Sequence, residues 1–189
     1  MKALILSAGF GTRLSPYTDA VPKPLFTLNN TPLLGHIIRQ LESAGCDHIL
    51  INTHHLSEQI HDYIEQVSST ATLQTLFEPE ILDTGGAIAN AKPWLNRSDF
   101  FVVNADIFST ISLEAVFQSH LDSNAIATLV LHDCSEFNKI TVGTDGYIRN
   151  FDGNKNGLAF TGIQVLSPDI FEYFPHEKKF SSIDIYKSL

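Results

Sequence analysis

The sequence predicts an α/β fold with helices on both faces of a mostly parallel mixed sheet, and three observations carry that reading. Residues 3–6 are continuously apolar, as in a strand buried on both faces, and run straight into the small-residue turn Ala8-Gly9-Phe10-Gly11-Thr12-Arg13. Helical and extended patterns then alternate along the chain. A second apolar strand, 99–104, ends in Asn104-Ala105-Asp106, and polar residues at the carboxyl end of such a strand lie where open α/β sheets hold ligands.

Each element has its own local reason. Over 32–43 a helix is expected: Pro32 stands near its start, Leu33, Leu34, Ile37, Ile38 and Leu41 share one face, and Gly45 follows as a stop. Strand 48–53 comes next, then a helix capped by Ser57 with Ile60, Tyr63, Ile64 and Val67 at helical spacing. A short strand at 73–77 leads through Glu78-Pro79 into a helix reaching about Lys92, with Gly85 and Gly86 at its start. Beyond strand 99–104 the pattern gives a helix at 112–121 and a strand at 125–132. A hairpin pairs 139–142 with 147–151 across Gly143-Thr144-Asp145-Gly146, where Asp-Gly is a strong turn signal. A flexible loop at 152–157, a strand at 158–166, a short helix from Pro168 through Phe174 and the start of a helix in 180–189 complete the chain.

Composition narrows the function classes. A chain of 189 residues with 43% hydrophobic and 17% charged residues is an ordinary globular composition, and its length favours one domain, 1–189. The net charge of -9 leaves no broad basic face for a nucleic-acid backbone, whereas a small phosphorylated ligand needs only a few cations. The N-terminal apolar run is too short for a signal-peptide core or a membrane span, so a cytoplasmic protein without membrane or nucleic-acid partners is expected. Cys46 and Cys134 form no CxxC pair and read as buried or inert thiols. His54, His55 and His61 lack a second cluster to complete a metal site, and adjacent strand residues point to opposite faces, so loop and cap roles are favoured.

The chemistry concentrates near the N-terminus. Glycine tolerates positive φ and holds no side chain between backbone and ligand, so the N–H groups around Gly9 and Gly11 can approach phosphate oxygens. Arg13 follows with a planar fork of donors, and Lys23 is a compact point charge framed by Pro22 and Pro24. Gly85 and Gly86 at a helix start expose N–H groups to a flat or anionic ligand, or else form a plain Gly-rich cap.

The longer string Gly9-x-Gly11-Thr12-Arg13-Leu14-x-Pro16-x-Thr18, followed by Pro22-Lys23-Pro24-Leu25, resembles the signature of the sugar-1-phosphate nucleotidyltransferase family. The resemblance implies a Rossmann-like three-layer sandwich and transfer of a nucleoside monophosphate from an NTP to a sugar-1-phosphate, with release of pyrophosphate. It implies that Ala8, Gly9, Gly11 and Thr12 wrap the triphosphate, that Arg13 carries the leaving pyrophosphate, and that Lys23 binds phosphate at the reacting centre. Gly85 and Gly86 become contacts of the base, Asp106 the ligand of Mg²⁺, and Asn104 a residue facing the sugar, with Ala105 replacing the usual glycine. Phe160-Thr161-Gly162-Ile163 resembles the family's segment beside the sugar, although a β-bulge equally accounts for Gly162. Asn138 becomes a sugar contact, although an exposed hairpin position explains it as well. The string from Glu78 to Gly86 looks most like the N-acetylmuramate-1-phosphate uridylyltransferase branch, which favours UTP. A W-x-D-x-G-T motif, whose aspartate is the family's second Mg²⁺ ligand, does not occur, so the family's C-terminal segment is expected to be lacking. Two rival readings stand beside this one. A phosphocholine-type cytidylyltransferase would need an aromatic cage, for which Trp94 and scattered Tyr and Phe are the material. A nucleotide-binding module that has lost turnover is the other.

Overall fold

The strand and helix patterns become a three-layer sandwich, described in a computed structural model over residues 1–153 and 157–189; the middle of the loop expected at 152–157 lies outside the described residues. β1 (Lys2–Leu6) is followed by single 3-10 turns at Thr12–Leu14, Tyr17–Asp19 and Lys23–Leu25, and by a two-residue ribbon of β2 (Thr27–Leu28) and β3 (Thr31–Pro32). Then come α1 (Leu33–Ser43), β4 (His48–Thr53), α2 (Ser57–Gln66), β5 (Thr72–Phe77), α3 (Asp83–Asn90) and α4 (Lys92–Leu95). The second half holds β6 (Phe100–Asn104), α5 (Leu113–Ser123), β7 (Ala127–His132), β8 (Thr141–Val142), β9 (Ile148–Asn150), β10 (Ala159–Leu166) and α6 (Ser182–Tyr186).

The central sheet has the order β5-β4-β1-β6-β10-β7. Its first four strands are parallel, and β10 runs antiparallel to both neighbours, so the sheet is mixed as predicted. Alternate strand residues separate into two cores. Ala3, Ile5, Ile51, Phe101 and Val103 pack with Ile37, Ile38 and Leu41 of α1 and with Ile60 of α2 and Val116 of α5. Leu4, Leu50, Phe100 and Val102 face the other way, onto Ile88 of α3, Leu95 of α4 and Ile185 of α6. From β1 the chain builds outward through β4 and β5, then crosses to β6 on the other side of β1, so the carboxyl end of β1 is a topological switch point.

Several local expectations change. The helix expected to reach Lys92 breaks at Ala91, because Pro93 has no N–H to continue the ladder, and α4 starts afresh. The segment after Pro168 is a 3-10 turn, Pro168–Glu172. The cap position of α2 is Leu56, in the left-handed region at φ 50°, and no side chain caps that helix. Of the two thiols only Cys46 is buried, where loss of water pushes its pKa up to about 12, while Cys134 is half-buried. Among the described residues no helix is long and apolar enough to cross a membrane.

One buried group makes stability depend on pH. His120 of α5 is almost fully enclosed, hydrogen-bonded through Nδ1 to the Thr128 hydroxyl at 2.8 Å, with the Asp99 carboxylate 3.9 Å from Nε2. Burial pushes its pKa below the ordinary 6.5, outweighing the opposite pull of Asp99. The unfolded chain therefore takes up this proton first. The stability contributed by the neutral ring is complete above about pH 6.5 and is lost as pH falls toward the lower folded-state value. Thermal melts from pH 7 to pH 5 should show the wild type losing a few degrees more than His120→Asn; parallel curves would refute the coupling.

Candidate active site

The parallel strands deliver their carboxyl ends to one edge of the sheet, and a cavity of about 390 Å³ opens there. Register sets its floor: Leu6 pairs with Asn52 of β4 on one side and with Asn104 of β6 on the other, which brings the two asparagines level. Both line the cavity. Beyond β1, Ala8, Gly9, Gly11 and Thr12 form one wall. Gly11 sits at φ +65°, and a Cβ there would come within 2.8 Å of the Thr18 methyl, so the turn requires glycine. Its carbonyl accepts the Thr18 hydroxyl at 3.1 Å.

The two predicted cations reach the same space. Arg13 lies on the 3-10 turn after Gly11, exposed, and among the described residues no carboxylate forms an ion pair with it. Lys23 begins the next-but-one turn, held by an extended Pro22 before it and a buried Pro24 after it. Its Nζ donates to the carboxylate of Asp106, two residues past β6. A glycine turn, two cations and one carboxylate around a single cavity can hold a polyphosphate and orient it.

Sequence reasoning missed the support behind this floor. The Ser7 N–H donates to Asn52 Oδ1 at 2.6 Å, Asn52 Nδ2 donates to Glu78 Oε1 at 2.8 Å, and the Leu82 N–H donates to Glu78 Oε2 at 3.2 Å. Both side chains in this chain of bonds, Asn52 and Glu78, are buried, as is Ser7. The signal was present: an asparagine inside the apolar run of β4 needs a buried partner.

Five predicted residues stand outside the cavity lining. Gly85 and Gly86 do not line the cavity; their neighbours Thr84 and Ala87 do. Both glycine N–H groups donate to the Phe180 carbonyl, at 2.9 and 3.2 Å, and a Cβ on either would strike Phe180 or the Lys178 carbonyl. These glycines admit the 178–180 backbone against α3. Asn138 is buried, not exposed, and closes the 133–138 turn by accepting the Cys134 N–H and donating to Asp133, each at 2.8 Å. Thr161 donates to the Val130 carbonyl across the β10–β7 pair at 2.8 Å. Gly162, at φ +86° in a register irregularity of β10, lies against the Asn104 side chain, so the bulge expected as its alternative is present.

Comparison with known proteins identifies the family and the fold. Residues 2–178 match the family model described as Nucleotidyl transferase. Over 180 residues, 91% of this chain and 78% of the relative, the sequence is 36% identical to the N-acetylmuramate alpha-1-phosphate uridylyltransferase of Neisseria meningitidis serogroup B. It is 30% identical over 201 residues to the probable glucose-1-phosphate cytidylyltransferase of Bacillus subtilis, covering 94% of this chain and 79% of that one. The crystal structure of HddC from Yersinia pseudotuberculosis complexed with GMP-PN superposes with a TM-score of 0.82 at 27% identity, over 95% of this chain and 82% of the other.

Proposed function

The chain belongs to the nucleotidyl transferase family, and from that premise we propose that it transfers UMP from UTP to a sugar-1-phosphate and releases pyrophosphate. The observation that carries the reading is the convergence of the glycine turn, Arg13, Lys23 and Asp106 on one cavity at the switch point of the sheet. The uridylyl choice rests on the Neisseria relative, whose name specifies it; other relatives are named for cytidylyl and guanylyl transfer.

In this reaction an oxygen of the sugar phosphate attacks the α-phosphorus in line, one O–P bond forms, and the bond to the β-phosphate oxygen breaks. The nucleophile is already an anion near neutral pH and needs no base from the protein. The residues act by position and charge. Backbone N–H groups from Gly11 to Arg13 face the phosphates, the Arg13 fork stabilises the departing pyrophosphate, and Lys23 draws the reacting phosphates together. The Lys23 ammonium also donates to the Asp106 carboxylate, which lines the same cavity. Asn104 lines the same cavity, which supports its reading as the residue that meets the sugar.

The donor chemistry fits Mg²⁺. Asp106 offers one partly exposed carboxylate, and Mg²⁺ commonly takes one or two carboxylates with waters and substrate phosphates completing its shell. Among the described residues no three His, Cys, Asp or Glu gather into a site. When bound at Asp106, Mg²⁺ would offset charge on the phosphoryl oxygens.

The test is pyrophosphate release with each NTP against a panel of sugar-1-phosphates, N-acetylmuramate-1-phosphate included, with and without Mg²⁺. UTP should be preferred by tenfold or more, about 1.4 kcal/mol in transition-state binding, and chelation should abolish turnover. A higher rate with another NTP overturns the base assignment. NTP binding without turnover for any pair overturns the transfer reaction in favour of a binding module.

A further inference from the structure

Gly9 and Gly11 line the cavity, but the ring of Phe10 between them turns outward and remains 49% exposed. It rests edge-on against His54, with ring centres 5.3 Å apart and planes at 83°, and tilted against His55 at 5.6 Å. Both histidines lie just past the end of β4, so strand alternation does not separate them, and both rings meet the same phenyl group.

Each imidazole is fixed by a different piece of the cavity rim. His54 donates from Nδ1 to the Glu78 carbonyl at 2.7 Å and stacks on Phe77, with planes 17° apart, so it is tied to the end of β5. His55 donates from Nε2 to the Thr18 carbonyl at 2.9 Å, and the Thr18 hydroxyl donates in turn to the Gly11 carbonyl. The contacts close a ring: Phe10 to His55, His55 to Thr18, Thr18 to Gly11, and Gly11 back to Phe10 through one peptide bond. A turn built on two glycines has wide conformational freedom, and a phosphate cradle gains affinity when that freedom is removed before binding.

We propose that Phe10, gripped by His54 and His55, is a positioning residue that holds the glycine turn in its phosphate-binding shape and sets its distance from the loop beginning at Glu78. The role in nucleotide binding rests on the function proposed above. The holding of the turn does not.

The experiment compares wild type, Phe10→Ala and Phe10→Tyr in the full chain. In ligand-free protein, the ¹⁵N order parameters of Gly9, Gly11 and Thr12 should fall from the rigid range near about 0.85 to below about 0.6 in Phe10→Ala and recover in Phe10→Tyr. The Kd for UTP, with CTP and GTP measured alongside, should weaken about tenfold in Phe10→Ala, with kcat and the KM for sugar phosphate little changed, the pattern of lost uniform binding. A Phe10→Ala/His55→Ala pair should add little beyond either change alone, since the two belong to one contact. Unchanged order parameters in Phe10→Ala overturn the proposal whatever the activity. Loosened order parameters with undiminished nucleotide affinity overturn the positioning role. If wild type binds no nucleotide, the function proposed above fails, and the order parameters alone then decide whether Phe10 holds the turn.

Discussion

Lys23→Ala should lower turnover at saturating substrates by at least about a hundredfold, a loss of about 2.7 kcal/mol in transition-state stabilisation, while thermal stability stays nearly unchanged. The two halves follow from different magnitudes. Lys23 and Asp106 are 33% and 37% exposed, and an ion pair that open to water is worth only about 0–1 kcal/mol to the fold. At a reacting phosphoryl group the same ammonium faces concentrated negative charge, where single donors or cations are worth about a hundredfold or more in rate. Arg13→Ala should behave alike, and Arg13→Lys should recover only part of the rate, because an ammonium cannot reproduce the planar fork. Pyrophosphate release beside a thermal melt measures both quantities. A variant that unfolds yet keeps full activity per folded molecule would make that residue structural.

Asn52→Ala should show the reverse balance, a large loss of stability from a residue carrying no charge. Its side chain accepts the Ser7 N–H and donates to Glu78, with both asparagine and glutamate buried. Truncation strands a buried N–H and leaves the Glu78 side chain with only the Leu82 N–H, and each buried polar group left without its partner costs about 1–3 kcal/mol. That is a large part of the total stability of about 5–15 kcal/mol usual for a domain. Urea unfolding of Asn52→Ala should give a clearly lower midpoint at similar slope. A midpoint equal to wild type would mean that Glu78 finds another partner, and the floor of the cavity would not depend on this bond.

These two variants mark the boundary of what the sequence made legible. The strands of the sheet were readable because a strand buried on both faces leaves an unbroken apolar run, as in Ala3 to Leu6 and Phe100 to Val103. Arg13, Lys23 and Asp106 were readable because each lies within a short motif whose spacing is local. That Asn52 needs a buried partner was readable, but not that Glu78 is the partner, because their pairing depends on the alignment of β4 with β5, which no local pattern encodes. The packing role of Gly85 and Gly86 was hidden for a related reason. A missing Cβ announces a close approach, but not whether the approaching group is a ligand or the chain itself, and here it is the Phe180 backbone.

That same backbone gives the cleft an unequal build. Its phosphate wall is braced from the nearby turns, but the wall formed by Thr84 and Ala87 is suspended from behind. Gly85 and Gly86 hang from the Phe180 carbonyl, and Thr84 accepts the Ser182 N–H at 3.0 Å, immediately at the start of α6. One jaw of the cleft is therefore tethered to α6 through Thr84, so a shift of α6 would pass directly into that wall and change the width of the opening.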